Sequence, residues 1–95
     1  AAQADALHPA VLRLIRMVVD AARPEDVWVG VCGGIAGDPE GALILSGLGV
    51  DELSMSIPSV AAVKARLRNV SMADARRLAE RALACSTADD VRALL

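Results

Sequence analysis

Val27-Trp28-Val29-Gly30-Val31-Cys32-Gly33-Gly34 is the stretch on which the reading of this 95-residue chain turns. It is rich in β-favouring residues and has little polar alternation. It therefore predicts a strand over 27–32 covered on both faces, the pattern of a parallel sheet. Gly33 and Gly34 break that strand, and 35–37 read as a turn. Asp38 then offers an N-cap, Pro39 suits the first helical position, and Glu40 places a negative charge in the first turn. A helix should run from there through Ser46, ended by Gly47 and Gly49. A second strand is predicted over 50–56. Strand, helix and strand joined by short loops predict a parallel α/β arrangement.

Outward from this unit the pattern is helical. Residues 1–8 are Ala-rich and carry no turn signal before His8-Pro9. From Pro9, apolar residues at 11, 14, 15, 18 and 19 form a helical stripe, and Arg23-Pro24 closes the helix. Downstream, Pro58 opens a helix over 59–68 with apolar positions 60, 63 and 67. Ser71 caps another over 72–84, with apolar positions 75, 78, 79, 82 and 83. Ser86 or Thr87 caps a last short helix over 89–95. Two parallel strands leave an open edge on each side. The chain thus reads as one unit over 1–95 that is part of a larger α/β fold, cut on its N-terminal side.

Composition narrows the function classes. Hydrophobic residues make up 55% of the chain but aromatics only 1%, with Trp28 alone. The net charge is −2, from ten basic and twelve acidic residues. That balance argues against a nucleic-acid surface, and the lack of aromatics argues against base stacking. No apolar run is long enough for a membrane span, and no signal-peptide pattern opens the chain. Cys32 and Cys85 form neither a disulfide framework nor, with His8 as the single histidine, a zinc site. A cytoplasmic location is the expectation. The core must be built from small aliphatic side chains, which favours borrowing apolar surface from a partner.

Cys32 is the principal candidate for chemistry. It stands at the carboxyl end of a strand, where parallel folds collect functional groups, and glycines beside it let a substrate approach the backbone. A thiol there can be a nucleophile or a proton donor. The competing reading is a small buried hydrophobe, which residue type alone favours. Gly33 to Asp38 can be read as a phosphate cradle at a helix N-terminus, but they lack the Lys and Ser/Thr of a P-loop. A tight turn explains these glycines equally well, and Asp38 reads more simply as a cap. Ser54 and Ser56 should share one strand face, lining a polar site or bonding to buried backbone. Asp51 and Glu52 read as solvated, as does the Arg76-Arg77 pair. His8 reads as a surface or capping residue, and Cys85 as packed.

Taken together, His8 to Ile15, Trp28 to Gly33, Ala36-Gly37-Asp38 and Gly47-Leu48-Gly49-Val50-Asp51-Glu52-Leu53-Ser54-Met55-Ser56 resemble the C-terminal end of enzyme I of the sugar phosphotransferase system. This is the phosphoenolpyruvate–protein phosphotransferase family. The resemblance runs along nearly the whole chain. Gly34 stands where that family commonly has Glu, and Cys-Gly-Gly is similar to the fused multiphosphoryl transfer proteins. The resemblance implies a C-terminal piece of a (β/α)8 phosphoenolpyruvate-binding barrel, with strands seven and eight. It implies transfer of phosphate from phosphoenolpyruvate to an enzyme histidine on a separate N-terminal domain, and on to HPr. Cys32 would protonate the enolpyruvate carbon, giving pyruvate, with Gly33 a candidate for substrate contact. It also implies that the phosphohistidine, the phosphate-gripping arginines and the Mg2+ ligands lie upstream, so that the segment alone is inactive. The rival expectation is a non-catalytic oligomerisation module derived from the same barrel. A small phosphate-binding α/β domain is the third.

Overall fold

The computed structural model describes residues 5–95. Helix α1 covers Pro9–Ala22, strand β1 Gly30–Val31, the single turn α2 Gly34–Gly37 and helix α3 Pro39–Leu48. Strand β2 covers Glu52–Leu53, followed by helices α4 Ile57–Arg68, α5 Met72–Leu83 and α6 Ala88–Ala93. The architecture is α/β and mostly helical. β1 and β2 pair in parallel, with Gly30 opposite Glu52 and Val31 opposite Leu53. The intervening α2 and α3 make this a βαβ unit. Among the described residues no helix is long and apolar enough to cross a membrane.

α3 is the hub. Gly41 to Leu45, Gly47 and Leu48 are all buried, so the helix is covered on every side. Its most extensive packing is on α5, then on α4. The core joins Leu7, Leu12, Ala36, Ile44, Leu45, Leu48, Ala79, Ala82 and Val91. Caps hold the surrounding helices. His8 Nδ1 accepts from the Ala10 N–H at 3.0 Å, Ser71 Oγ from the Asp74 N–H at 3.1 Å, and Thr87 Oγ1 from the Asp90 N–H at 3.1 Å. Arg13 ties α1 to the end of α5 by donating to the Leu83 carbonyl at 2.9 and 3.1 Å and to the Cys85 carbonyl at 3.0 Å. Arg66 and Glu40 form a two-pronged pair at 2.9 and 3.2 Å between α4 and α3. Cys85 is half-buried, its Sγ donating to the Arg81 carbonyl at 3.3 Å.

Several expectations change. The strand over 27–32 shortens to two residues and is not covered on both faces: Val27 and Cys32 are exposed and Trp28 is 64% exposed. The reason is pairing. Among the described residues only β2 lies alongside, so the ladder closes only where β2 reaches. The second strand shortens for the same reason. In α1 the buried residues are Pro9, Leu12 and Val19; of the predicted stripe Val19 is buried and Ile15 is half-buried against the core. Val11, Leu14, Met17 and Val18 face outward, Met17 being 65% exposed. The helix is apolar on two faces, and one of them finds no cover among the described residues. The turn expected over 35–37 is a single helical turn, α2. Gly47 lies inside α3, not at its end: a Cβ there would overlap the Ala75 carbonyl oxygen and sit 2.9 Å from Ala79 Cβ. Gly49, at φ 101°, is the residue that ends the helix. Asp51 is exposed but not idle, since its Oδ2 accepts from the Val29 N–H at 2.9 Å and pins the start of β1. Finally, a turn does precede His8. The Asp5 carbonyl accepts from the His8 N–H at 2.9 Å, and Asp5 Oδ1 accepts from the Leu7 N–H at 3.0 Å. The expectation for residues 1–4 lies outside the described residues.

Candidate functional site

The parallel register decides where the chemistry-bearing residues go. Cys32 follows Val31 and Ser54 follows Leu53, and those two residues are partners. The Ser54 N–H donates to the Val31 carbonyl at 2.9 Å, extending the ladder to its carboxyl rim. Cys32 and Ser54 therefore leave the two strands side by side at the same end. Gly33 turns the chain sharply there, at φ 98°, a conformation that favours glycine. An added Cβ at Gly33 or Gly34 would meet nothing within 4 Å.

The rim opens on a hollow of about 670 Å³ lined by Cys32, Gly33, Gly34, Gly37, Asp38, Ser54, Met55, Ser56 and Ser59. Cys32 is exposed in it, so the reading as a buried hydrophobe falls within this chain. Ser54 and Ser56 both line it, but not by strand alternation: Met55 between them lines it too, because the chain leaves β2 after Leu53. Neither serine is buried and bonded to backbone. Ser54 Oγ lies 3.4 Å from Glu52 Oε1, and Ser56 Oγ lies 3.1 Å from Ser59 Oγ. Ser59 was not singled out by sequence reasoning. Its signal was its place three residues after Ser56 in the first turn of α4, on the same side.

Asp38 sits at the N-cap position of α3, yet its side chain makes no capping bond. Among the described residues it is the one charged residue lining the hollow, and none of the lining side chains is basic. A phosphate cradle built from this turn would rest on backbone N–H groups with a carboxylate beside them, which does not favour an anion. Among the described residues no group of three or more His, Cys, Asp or Glu side chains is placed to hold a metal ion. The hollow's single carboxylate does not fit Mg2+ binding on its own. His8, Cys85, Arg76 and Arg77 do not line it. Near the rim, Asp5 is held below the usual aspartate range. The Leu7 N–H is the main cause and the Arg92 guanidinium adds to it, while partial burial opposes both.

Residues 1–72 match the family described as PEP-utilising enzyme, PEP-binding domain. The chain is similar to the multiphosphoryl transfer protein of Rhodobacter capsulatus, at 66% identity over 94 residues, covering 99% of this chain and 11% of that protein. It is 62% identical over 94 residues to the multiphosphoryl transfer protein of Xanthomonas campestris pv. campestris, with the same coverage. It is also 52% identical over 91 residues to the phosphoenolpyruvate-protein phosphotransferase of Haloferax volcanii, covering 96% of this chain and 16% of that protein. The chain thus spans 11–16% of the length of these relatives.

Proposed function

The chain belongs to the PEP-utilising enzyme family, in its PEP-binding domain, and from that membership we propose that it is the C-terminal part of a phosphoenolpyruvate–protein phosphotransferase of the multiphosphoryl transfer type. Residues 1–95 supply the last two strands and outer helices of a (β/α)8 barrel. The parent takes phosphate from phosphoenolpyruvate onto a histidine of another domain and passes it to HPr, in cytoplasmic sugar uptake. Cys32 is the proton donor. When the phosphoryl group leaves, the enolate of pyruvate remains. The Cys32 S–H bond breaks, a C–H bond forms at the methylene carbon, and the thiolate regains its proton from water. Gly33 keeps the backbone low so that the substrate comes close. The phosphate grip and the Mg2+ ligands belong to residues outside this segment.

One observation carries the reading: Cys32 and Ser54 emerge together at the carboxyl rim of two parallel strands, open to a hollow, where barrel enzymes hold their chemistry. The test is an exchange. This chain replaces the corresponding segment of the R. capsulatus relative, and phosphoenolpyruvate-dependent pyruvate release is followed with Mg2+ and HPr. The exchanged enzyme is expected to work near the parental rate, and the 95-residue chain alone to give none. A folded but inactive exchange product would overturn the proposal. Turnover by the chain alone would overturn its reading as a segment.

The outward apolar face of α1 favours a second, compatible reading, in which the segment self-associates. A barrel helix lies between two neighbouring helices, and here Leu14, Met17 and Val18 lack one. Apolar burial drives such faces together. Light scattering of the isolated chain across a dilution series is expected to show a homo-oligomer that dissociates on dilution. A compact monomer at every micromolar concentration would count against association.

A further inference from the structure

The turn that follows Cys32 does little to hold itself in place. Its backbone bonds run from the Ala36 N–H to the Gly33 carbonyl at 3.2 Å and from the Asp38 N–H to the Gly34 carbonyl at 3.0 Å. Gly33 and Gly34 have no side chains, and Asp38 does not cap. The turn packs on α3, where a Cβ at Gly41 would overlap the Ile35 carbonyl oxygen, and Ala36, fully buried, with Ile35 beside it, joins the core cluster to which Leu7 and Val91 also belong. Leu7 and Val91 come from opposite ends of the described residues. They are joined by one ion pair: Arg92, next to Val91, donates from Nε at 3.2 Å and from Nη2 at 3.0 Å to the Asp5 carboxylate. Asp5 in turn accepts from the Leu7 N–H. A second hollow of about 400 Å³ lies between this clasp and the turn, lined by Asp5, Leu7, Gly34, Ile35, Asp38 and Arg92 among others. Gly34 and Asp38 line both hollows. The clasp therefore stands behind the turn whose front carries Cys32, and the hollow leaves the turn room to shift if the clasp opens.

We propose that Arg92 and Asp5 are positioning residues for the Cys32 turn, joining the last helix to the loop before α1 so that the thiol is held at its proton-transfer geometry. This rests on the reading of Cys32 as proton donor. The pair is part-exposed, Arg92 by 50% and Asp5 by 33%, so losing it leaves the fold standing. Misplacing a reacting group by about 1 Å, by contrast, can cost up to about 100-fold in rate.

The exchanged full-length enzyme is the test object. Arg92→Gln is expected to lower kcat for pyruvate release about tenfold, within that range. KM for phosphoenolpyruvate and the melting temperature should stay nearly unchanged, and the solvent deuterium isotope effect on kcat should rise as proton transfer becomes limiting. Asp5→Asn should match it, and the double variant should be no worse than either single one, because the pair acts as a unit. An unchanged kcat in folded Arg92→Gln, or a loss that tracks melting temperature and adds across the two sites, overturns the clasp. Cys32→Ala in the same background separates the two ideas. If it is slow while Arg92→Gln is normal, only the clasp fails. If it is normal, the proton-donor reading fails and takes the clasp with it.

Discussion

Cys32→Ala in the exchanged full-length enzyme is expected to slow pyruvate release by about 100- to 10,000-fold, the usual worth of a positioned general acid. Phosphoenolpyruvate binding should hardly change. No basic side chain among the described residues lines the hollow at Cys32, so on the proposed reading the charge that grips the phosphate comes from elsewhere and should survive the substitution. The signature is a fall in kcat with little change in substrate affinity, which marks a contact made in the transition state. Direct titration of phosphoenolpyruvate and a coupled pyruvate assay read the two quantities separately. If release proceeds at the parental rate, Cys32 is only a residue at a strand end.

The second large effect concerns the hub. By helix propensity alone, Gly47→Ala inside α3 should stabilise by about 1 kcal/mol. The contact across the helices says the opposite. A Cβ at Gly47 overlaps the backbone oxygen of Ala75 and crowds Ala79, and backbone cannot rotate away as a side chain can. Overpacking of this kind costs about 1–3 kcal/mol, and because α3 against α5 is the largest helix contact, the upper end is expected. The urea midpoint of the chain at fixed concentration should fall. A rise would mean that the two helices do not cross so closely.

The helices were legible because their ends carry local chemistry. Pro9, Asp38-Pro39, Pro58, Ser71 and Thr87 mark starts within a residue or two of where the helices begin. The parallel pairing and the place of Cys32 were legible too, from a β-rich run followed by glycines. What failed depended on neighbours. How much of 27–32 forms a ladder depends on what lies beside it, and with β2 alone only the stretch opposite β2 closes. Which apolar face of α1 is inward could not be read from a helix apolar on both sides. Gly47 looked like a terminator because its contact, Ala75, lies a whole helix away. The serine site was half legible: Ser54 and Ser56 were found, but by an alternation that the chain abandons at Met55. Asp5 did carry a signal, since aspartate readily opens a turn by bonding the N–H two residues on.

The contact between Arg92 and Asp5 spans 87 residues, and those from Arg13 to the α5 terminus span 70 and 72. Contacts of such sequence separation form late, because they close the longest loops. The Cys32 turn precedes α6 in the chain, and Val91 of α6 shares its core cluster. Until α6 is in place, Leu7 and Ala36 lack Val91 as a core neighbour. On the clasp reading, a polypeptide that has not yet made Arg92 can pair its strands before its thiol is held in register.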